Sequence, residues 1–247
     1  MKIILCKNSF ESFLSAFYDS YYAHKGADLI RSATSGQDLL SEFYQTTDSM
    51  EKANKVKSAI IKKGRYSLFN EVSNAYRSNN QKKEEILFAY LKLFFKHGRS
   101  LFNMFALPEV IAFNDMAKKV YFEVHRLQAF IRLKEMSNGI FYGYYSSDND
   151  ILDLLIPHFV PRFNSQQFIL HDYKRGKLAF YDGEVCRFAT LNAKIEIELS
   201  DTQLIFDRLW KDYHKNVSIK ERANPTLQRA FLPKKYRHFM SEFDDVS

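Results

Sequence analysis

Asn138-Gly139-Ile140-Phe141-Tyr142-Gly143-Tyr144-Tyr145 is the stretch at which the chain changes character. Asn138-Gly139 stops a helix, and Ile140–Tyr145 is an aromatic run that reads as a strand. Downstream, Asp148-Asn149-Asp150 reads as the cap of a helix from Ile151 to Phe163. Phe168–Tyr173 and Leu178–Tyr181 are short apolar runs separated by Lys174-Arg175-Gly176-Lys177, a hairpin signal. Asp182-Gly183 is a second turn leading into Glu184–Thr190, and the alternation from Ile195 to Leu199 suggests one more strand. Asp201 then caps a helix over Leu204–Ile219, and Asn224-Pro225 and Leu232-Pro233 each open a short one.

Upstream of Asn138 the periodicity is helical. Pro108 suits the first turn of a long helix reaching Met136. Further helices are expected at 82–97, ended by Gly98, at 66–78, and from Asp48 or Ser49 to Lys63, ended by Gly64. Phe10, Phe13, Leu14, Phe17, Tyr18 and Tyr21 follow the i, i+3, i+4, i+7 pattern of a helix capped by Asn8 or Ser9. Residues 2–6 read as a strand whose sheet lies elsewhere, and 25–47 are weakly patterned. The expectation is a single α+β domain over 1–247. Its helical part covers about 8–136, and a small antiparallel sheet with basic C-terminal helices covers about 139–247.

Composition agrees. With 247 residues, 46% hydrophobic and 26% charged, the chain falls in the globular range, and its 8 Gly and 5 Pro favour long helices. Cys6 and Cys186 have no ligand spacing, which excludes a disulfide scaffold and a cysteine zinc site. The opening apolar run is too short for a signal peptide, and Ile86–Phe95 is too short to span a bilayer; a cytoplasmic protein with no membrane partner is expected. P-loop, GxGxxG, GxSxG and HExxH motifs are missing, so no cofactor and no metal site are expected.

The net charge is +7, and its placement matters more than its size. Between Arg208 and His238, nine Lys and Arg face only Asp212 and Glu221, a surplus equal to that of the whole chain. Lys220, Arg222, Asn224, Gln228, Arg229, Lys234, Lys235 and Tyr236 are the candidate nucleic-acid contacts there. Cations bind phosphates, and exposed aromatics such as Trp210 and Tyr213 can stack on bases unless they are core.

Three further groups could carry chemistry. On a helix through 136, His125, Gln128, Arg132 and Glu135 fall within an arc of about 80°. With Arg126, that stripe suits a phosphate or a base edge; it equally suits a solvent-facing helix side with an Arg132–Glu135 pair. His158 and Arg162 share a helix face if the turn survives Pro161, making His158 a general acid/base or a packing histidine. At the hairpin, His171 and Asp172 point to opposite faces, and Arg175 is placed for a phosphate or for ordinary turn solvation.

Taken in order, these pieces resemble a known family. They are Ser9-Phe10-Glu11-Ser12-Phe13-Leu14, Glu123-Val124-His125-Arg126 with Phe130-Ile131-Arg132, Pro157-His158-Phe159 with Arg162-Phe163, and Asp172 with Arg175-Gly176. The tail Glu221-Arg222, Asn224-Pro225, Leu227-Gln228-Arg229, Pro233 and Tyr236 is the most specific part, while Ala129, Leu133 and Arg237 depart from the pattern. The family is a bacterial group of DNA-metabolism and DNA-repair proteins, found alone beside a radical S-adenosylmethionine DNA-repair protein or joined to uracil-DNA-glycosylase-like domains. The resemblance implies a DNA context and brings no catalytic residues with it. The leading expectation is a DNA-binding accessory protein partnering a radical S-adenosylmethionine enzyme. One alternative is a stand-alone lyase or hydrolase in which His125 or His158 works with Glu135. The other is a protein-docking subunit with a basic tail.

Overall fold

A computed structural model describes residues 1–33, 40–191, 197–237 and 239–240. The chain divides into two compact units, Met1–Phe122 and Glu123–Ser247. The architecture is α+β, as the sequence indicates.

The first unit opens with β1 (Lys2–Cys6), followed by α1 (Phe10–Tyr22), β2 (Leu29–Ser32) and β3 (Glu42–Gln45). Ser9 caps α1, its hydroxyl accepting from the Ser12 N–H at 3.1 Å. β1 is central and pairs in parallel with both β2 and β3. The first strand therefore finds its sheet inside the weakly patterned 25–47 stretch, and that sheet is parallel rather than antiparallel. Four helices complete the unit's helical layer: α2 (Met50–Lys63), α3 (Tyr66–Tyr76), α4 (Lys83–His97) and the first part of α5 (Pro108–Phe130). Its core is aromatic, with Phe17 edge-on to Phe88 and Tyr90 stacked on Phe113 at 3.8 Å between ring centres. A polar cavity of about 600 Å³ lies against Arg31, Ser32 and the start of α4, and none of the sequence-predicted site residues reaches it.

In the second unit α5 ends at Phe130, six residues before the expected Met136. The reason is local. Lys134–Glu135 forms β4, which pairs antiparallel with β5 (Phe141–Tyr145) through a turn at 136–139. Gly143 permits this close approach, because a Cβ there would lie 2.5 Å from Leu133 Cδ2 and 3.1 Å from the Arg132 carbonyl oxygen. α6 (Leu152–Phe163) follows, then β6 (Phe168–Asp172), β7 (Lys177–Tyr181) and β8 (Cys186–Thr190). The sheet order is β4-β5-β6-β7-β8, antiparallel except for the parallel β5–β6 pair that α6 connects. The β6–β7 turn uses Gly176 at φ 62°, a left-handed conformation open to glycine, and a Cβ there would meet the Leu191 carbonyl oxygen at 2.6 Å. The strand expected at 195–199 falls partly outside the described residues; Leu199 makes an isolated bridge to Met136.

The chain closes with α7 (Asp201–Val217), α8 (Pro225–Phe231) and α9 (Lys234–Arg237). Ser200 rather than Asp201 caps α7, accepting from the Gln203 N–H at 3.0 Å. Among the described residues, no helix is long and apolar enough to cross a membrane.

Candidate nucleic-acid interface

Asp148-Asn149-Asp150 does not cap α6: the helix starts after Ile151 with no side-chain cap. The backbone N–H groups of Asp148 and Asn149 instead donate to the Glu123 carboxylate at 2.8 and 2.9 Å, and the Asn149 amide donates at 2.7 Å. Tyr236 adds its hydroxyl at 3.1 Å, and Lys235 stands 3.8 Å away. Glu123 is 5% exposed, so a buried carboxylate is held by four donors and a nearby cation. This arrangement ties the end of α5, the β5–α6 loop and α9 together. Sequence reasoning missed Glu123. The signal available to it was one acid beside His125, on a helix whose last turn it placed wrongly.

The arrangement decides the roles of three expected DNA contacts. Tyr236 is 1% exposed, packs on Phe130 at 5.7 Å between ring centres, and has no face open for a base. Lys235 pairs with Asp148 at 2.6 Å, and this hydrogen bond holds the Asp148 carboxyl below its usual range. Arg175 pairs with the fully buried Asp172 at 2.9 Å and donates to the Ser147 hydroxyl and carbonyl. Burial raises the Asp172 pKa, with Arg175 opposing that shift. These three side chains are committed internally.

His171 and Asp172 do lie on opposite faces of β6, and both are buried. His171 Nδ1 and the Tyr142 hydroxyl share a 2.7 Å hydrogen bond. Burial holds the imidazole below its ordinary pKa of 6.5, with Asp172 pulling the other way.

The proposed stripe on α5 is broken. His125, Arg126 and Gln128 remain on the helix, but Arg132 follows its end and Glu135 sits on β4. The Arg132 guanidinium donates to the Ala129 carbonyl at 2.7 Å, closing the helix C-terminus. Glu135 accepts from the Ser200 hydroxyl at 2.9 Å, and its own N–H donates to the Gln203 side chain. α6 does run through Pro161, and Arg162 donates to the His158 carbonyl at 2.6 Å. His158 is half-buried, and desolvation, then Arg162, depresses its pKa. Among the described residues, no group of three His, Cys, Asp or Glu side chains is placed to hold a metal ion.

The C-terminal cations are arranged differently. Arg208, Lys215, Arg222 and Lys234 are exposed, and among the described residues none of them pairs with an acid. Elsewhere in the unit, Lys134, Lys177 and Arg187 are paired with Asp207, Asp150 and Asp182. Gln228 is exposed on α8, and Asn224 caps that helix, its side-chain oxygen accepting from the Leu227 N–H at 2.9 Å. The side chains of Lys220 and Arg229 lie outside the described set. Trp210 and Tyr213 are not core; they are 43% and 58% exposed and stack on each other at 5.8 Å.

A family model described as a domain of unknown function, DUF4130, matches residues 81–242. The chain belongs to the DUF4130 family. The match takes in α5, the mixed sheet and the three C-terminal helices, hence every candidate residue discussed here, and leaves out the parallel sheet. No curated protein matches the chain.

Proposed function

We propose that this DUF4130 chain is a DNA-binding accessory protein in base repair or modification, working in the cytoplasm with a radical S-adenosylmethionine enzyme that supplies the chemistry. The observation that carries the DNA reading is the split among the cations of the second unit. Lys134, Lys177 and Arg187 on the sheet are paired with aspartates, whereas Arg208, Lys215, Arg222 and Lys234 are exposed and, among the described residues, pair with no acid. A local excess of cations, nine Lys and Arg against Asp212 and Glu221 between Arg208 and His238, is the footprint expected of a phosphate-binding surface. Arg126 and Arg162, exposed and paired with no acid among the described residues, are candidates for a second patch. The choice of enzyme partner rests on the family resemblance alone.

The stand-alone enzyme reading gains less support, because Glu135 is engaged with Ser200 rather than with a histidine. Fluorescence anisotropy with labelled single- and double-stranded oligonucleotides, at about 50 to 200 mM salt, tests the proposal. Binding that weakens steeply with salt supports it; no binding at the lowest salt removes it.

A further inference from the structure

α7 is attached by its polar edge. Asp207 pairs with Lys134 at 2.8 Å, and the Gln203 side chain bonds both the Glu135 N–H and Asp207. A surface helix ordinarily turns its apolar stripe inward, and this one turns it outward. At about 100° per residue, Ile205, Leu209, Tyr213, Phe206, Val217 and Trp210 occupy an arc of about 140°. Their exposures run from 43% at Trp210 to 62% at Phe206, and none of the 17 residues of α7 is buried. A contiguous apolar face of this kind marks an association surface.

The charges flanking that face select the occupant. Beside its Ile205 edge lie Asp201, Arg208, Asp212 and Lys215, in that order along the helix. A second copy laid parallel sets this edge against the partner's opposite edge, where Gln203 and Asp207 already hold the helix to β4. Laid antiparallel and centred on Leu209, the second copy brings its Lys215 beside Asp201 and its Asp212 beside Arg208. The twofold axis repeats both pairs, and Ile205 meets Tyr213 of the second copy. Antiparallel helices place the same edge of each helix together, so the pattern is self-complementary in one orientation only. We propose that α7 pairs antiparallel with α7 of a second copy of this chain, forming a twofold dimer. A single helix pair of this length buries less than the ~1,600 Å² of a standard interface, so a reversible, concentration-dependent dimer is expected. The dimer engages Arg208 and Lys215, which the proposed DNA surface also uses, so the two are tested apart: sedimentation without DNA, and DNA binding at protein concentrations below dimerisation.

Sedimentation velocity over a concentration series tests it, with circular dichroism to confirm that each variant folds. The wild type is expected to shift from monomer to dimer, and Leu209→Asp to remain monomeric. Arg208→Asp and Asp212→Arg alone each weaken the dimer about tenfold, and the double variant restores it. In a Cys186→Ser background, Leu209→Cys is expected to form an intermolecular disulfide under mild oxidation. A wild type that stays monomeric throughout overturns the proposal, as does a dimer indifferent to Leu209→Asp. A monomer that binds anionic lipid vesicles through the same face overturns it in favour of a membrane surface.

Discussion

The Tyr236 hydroxyl donates to the Glu123 carboxylate at 3.1 Å, joining two buried residues that lie 113 positions apart. Glu123→Ala is expected to destabilise the protein by about 3–5 kcal/mol, because it strands two backbone N–H groups and an amide in a buried site. Tyr236→Phe removes one donor while keeping the ring and costs about 1 kcal/mol. Urea unfolding of both variants checks the ranking, and equal losses contradict it.

Gly143 sits where Arg132 and Leu133 cross β5. Gly143→Ala is expected to cost about 1–3 kcal/mol through overpacking, although alanine suits a strand no worse than glycine. The thermal midpoint is the readout, and an unchanged midpoint contradicts the close approach.

His171 is buried neutral, its pKa held below the ordinary 6.5 by desolvation. The unfolded chain takes up a proton near 6.5 and the native protein resists it. The stability this supplies is therefore present above about pH 6.5 and declines as the pH falls below it. His158 adds a contribution of the same sign. The difference between wild type and His171→Gln in urea midpoint, followed from pH 7.5 to 5.5, isolates His171. The two curves are expected to converge as the pH falls; parallel curves contradict the account.

Lys235 and Lys234 are neighbours with different surroundings. Lys235→Ala is expected to lower stability through loss of the Asp148 pair and to leave the salt dependence of DNA binding almost unchanged. Lys234→Ala is expected to do the reverse. Paired melting curves and salt titrations separate them.

Much of the fold was legible because its helices are long and punctuated. Ser9, Ser49, Gly64, Gly98 and Asn224-Pro225 each mark an observed boundary. The strands β2 and β3 were not legible. Each has four residues, too few for a period, and their order comes from backbone pairing with β1. The end of α5 was misread because Arg132 to Met136 keeps helical spacing while Lys134 and Glu135 pair with β5 instead. The same tertiary choice dissolved the His125–Glu135 stripe. In the tail the basic excess was legible, but its division was not. Nothing in Lys234-Lys235-Tyr236 says that the second and third residues turn toward Glu123 and Asp148 while the first stays in solvent.

In the proposed function, the exposed C-terminal cations hold DNA phosphates. The direct measurement is the slope of log affinity against log salt for wild type and for the Lys215→Ala/Arg222→Ala/Lys234→Ala variant. Each lost phosphate contact removes about 0.9 from the slope on duplex and about 0.7 on single strands. The expected slope is shallower by about 2 to 3 with the fold intact. An unchanged slope, or no binding by the wild type, contradicts it.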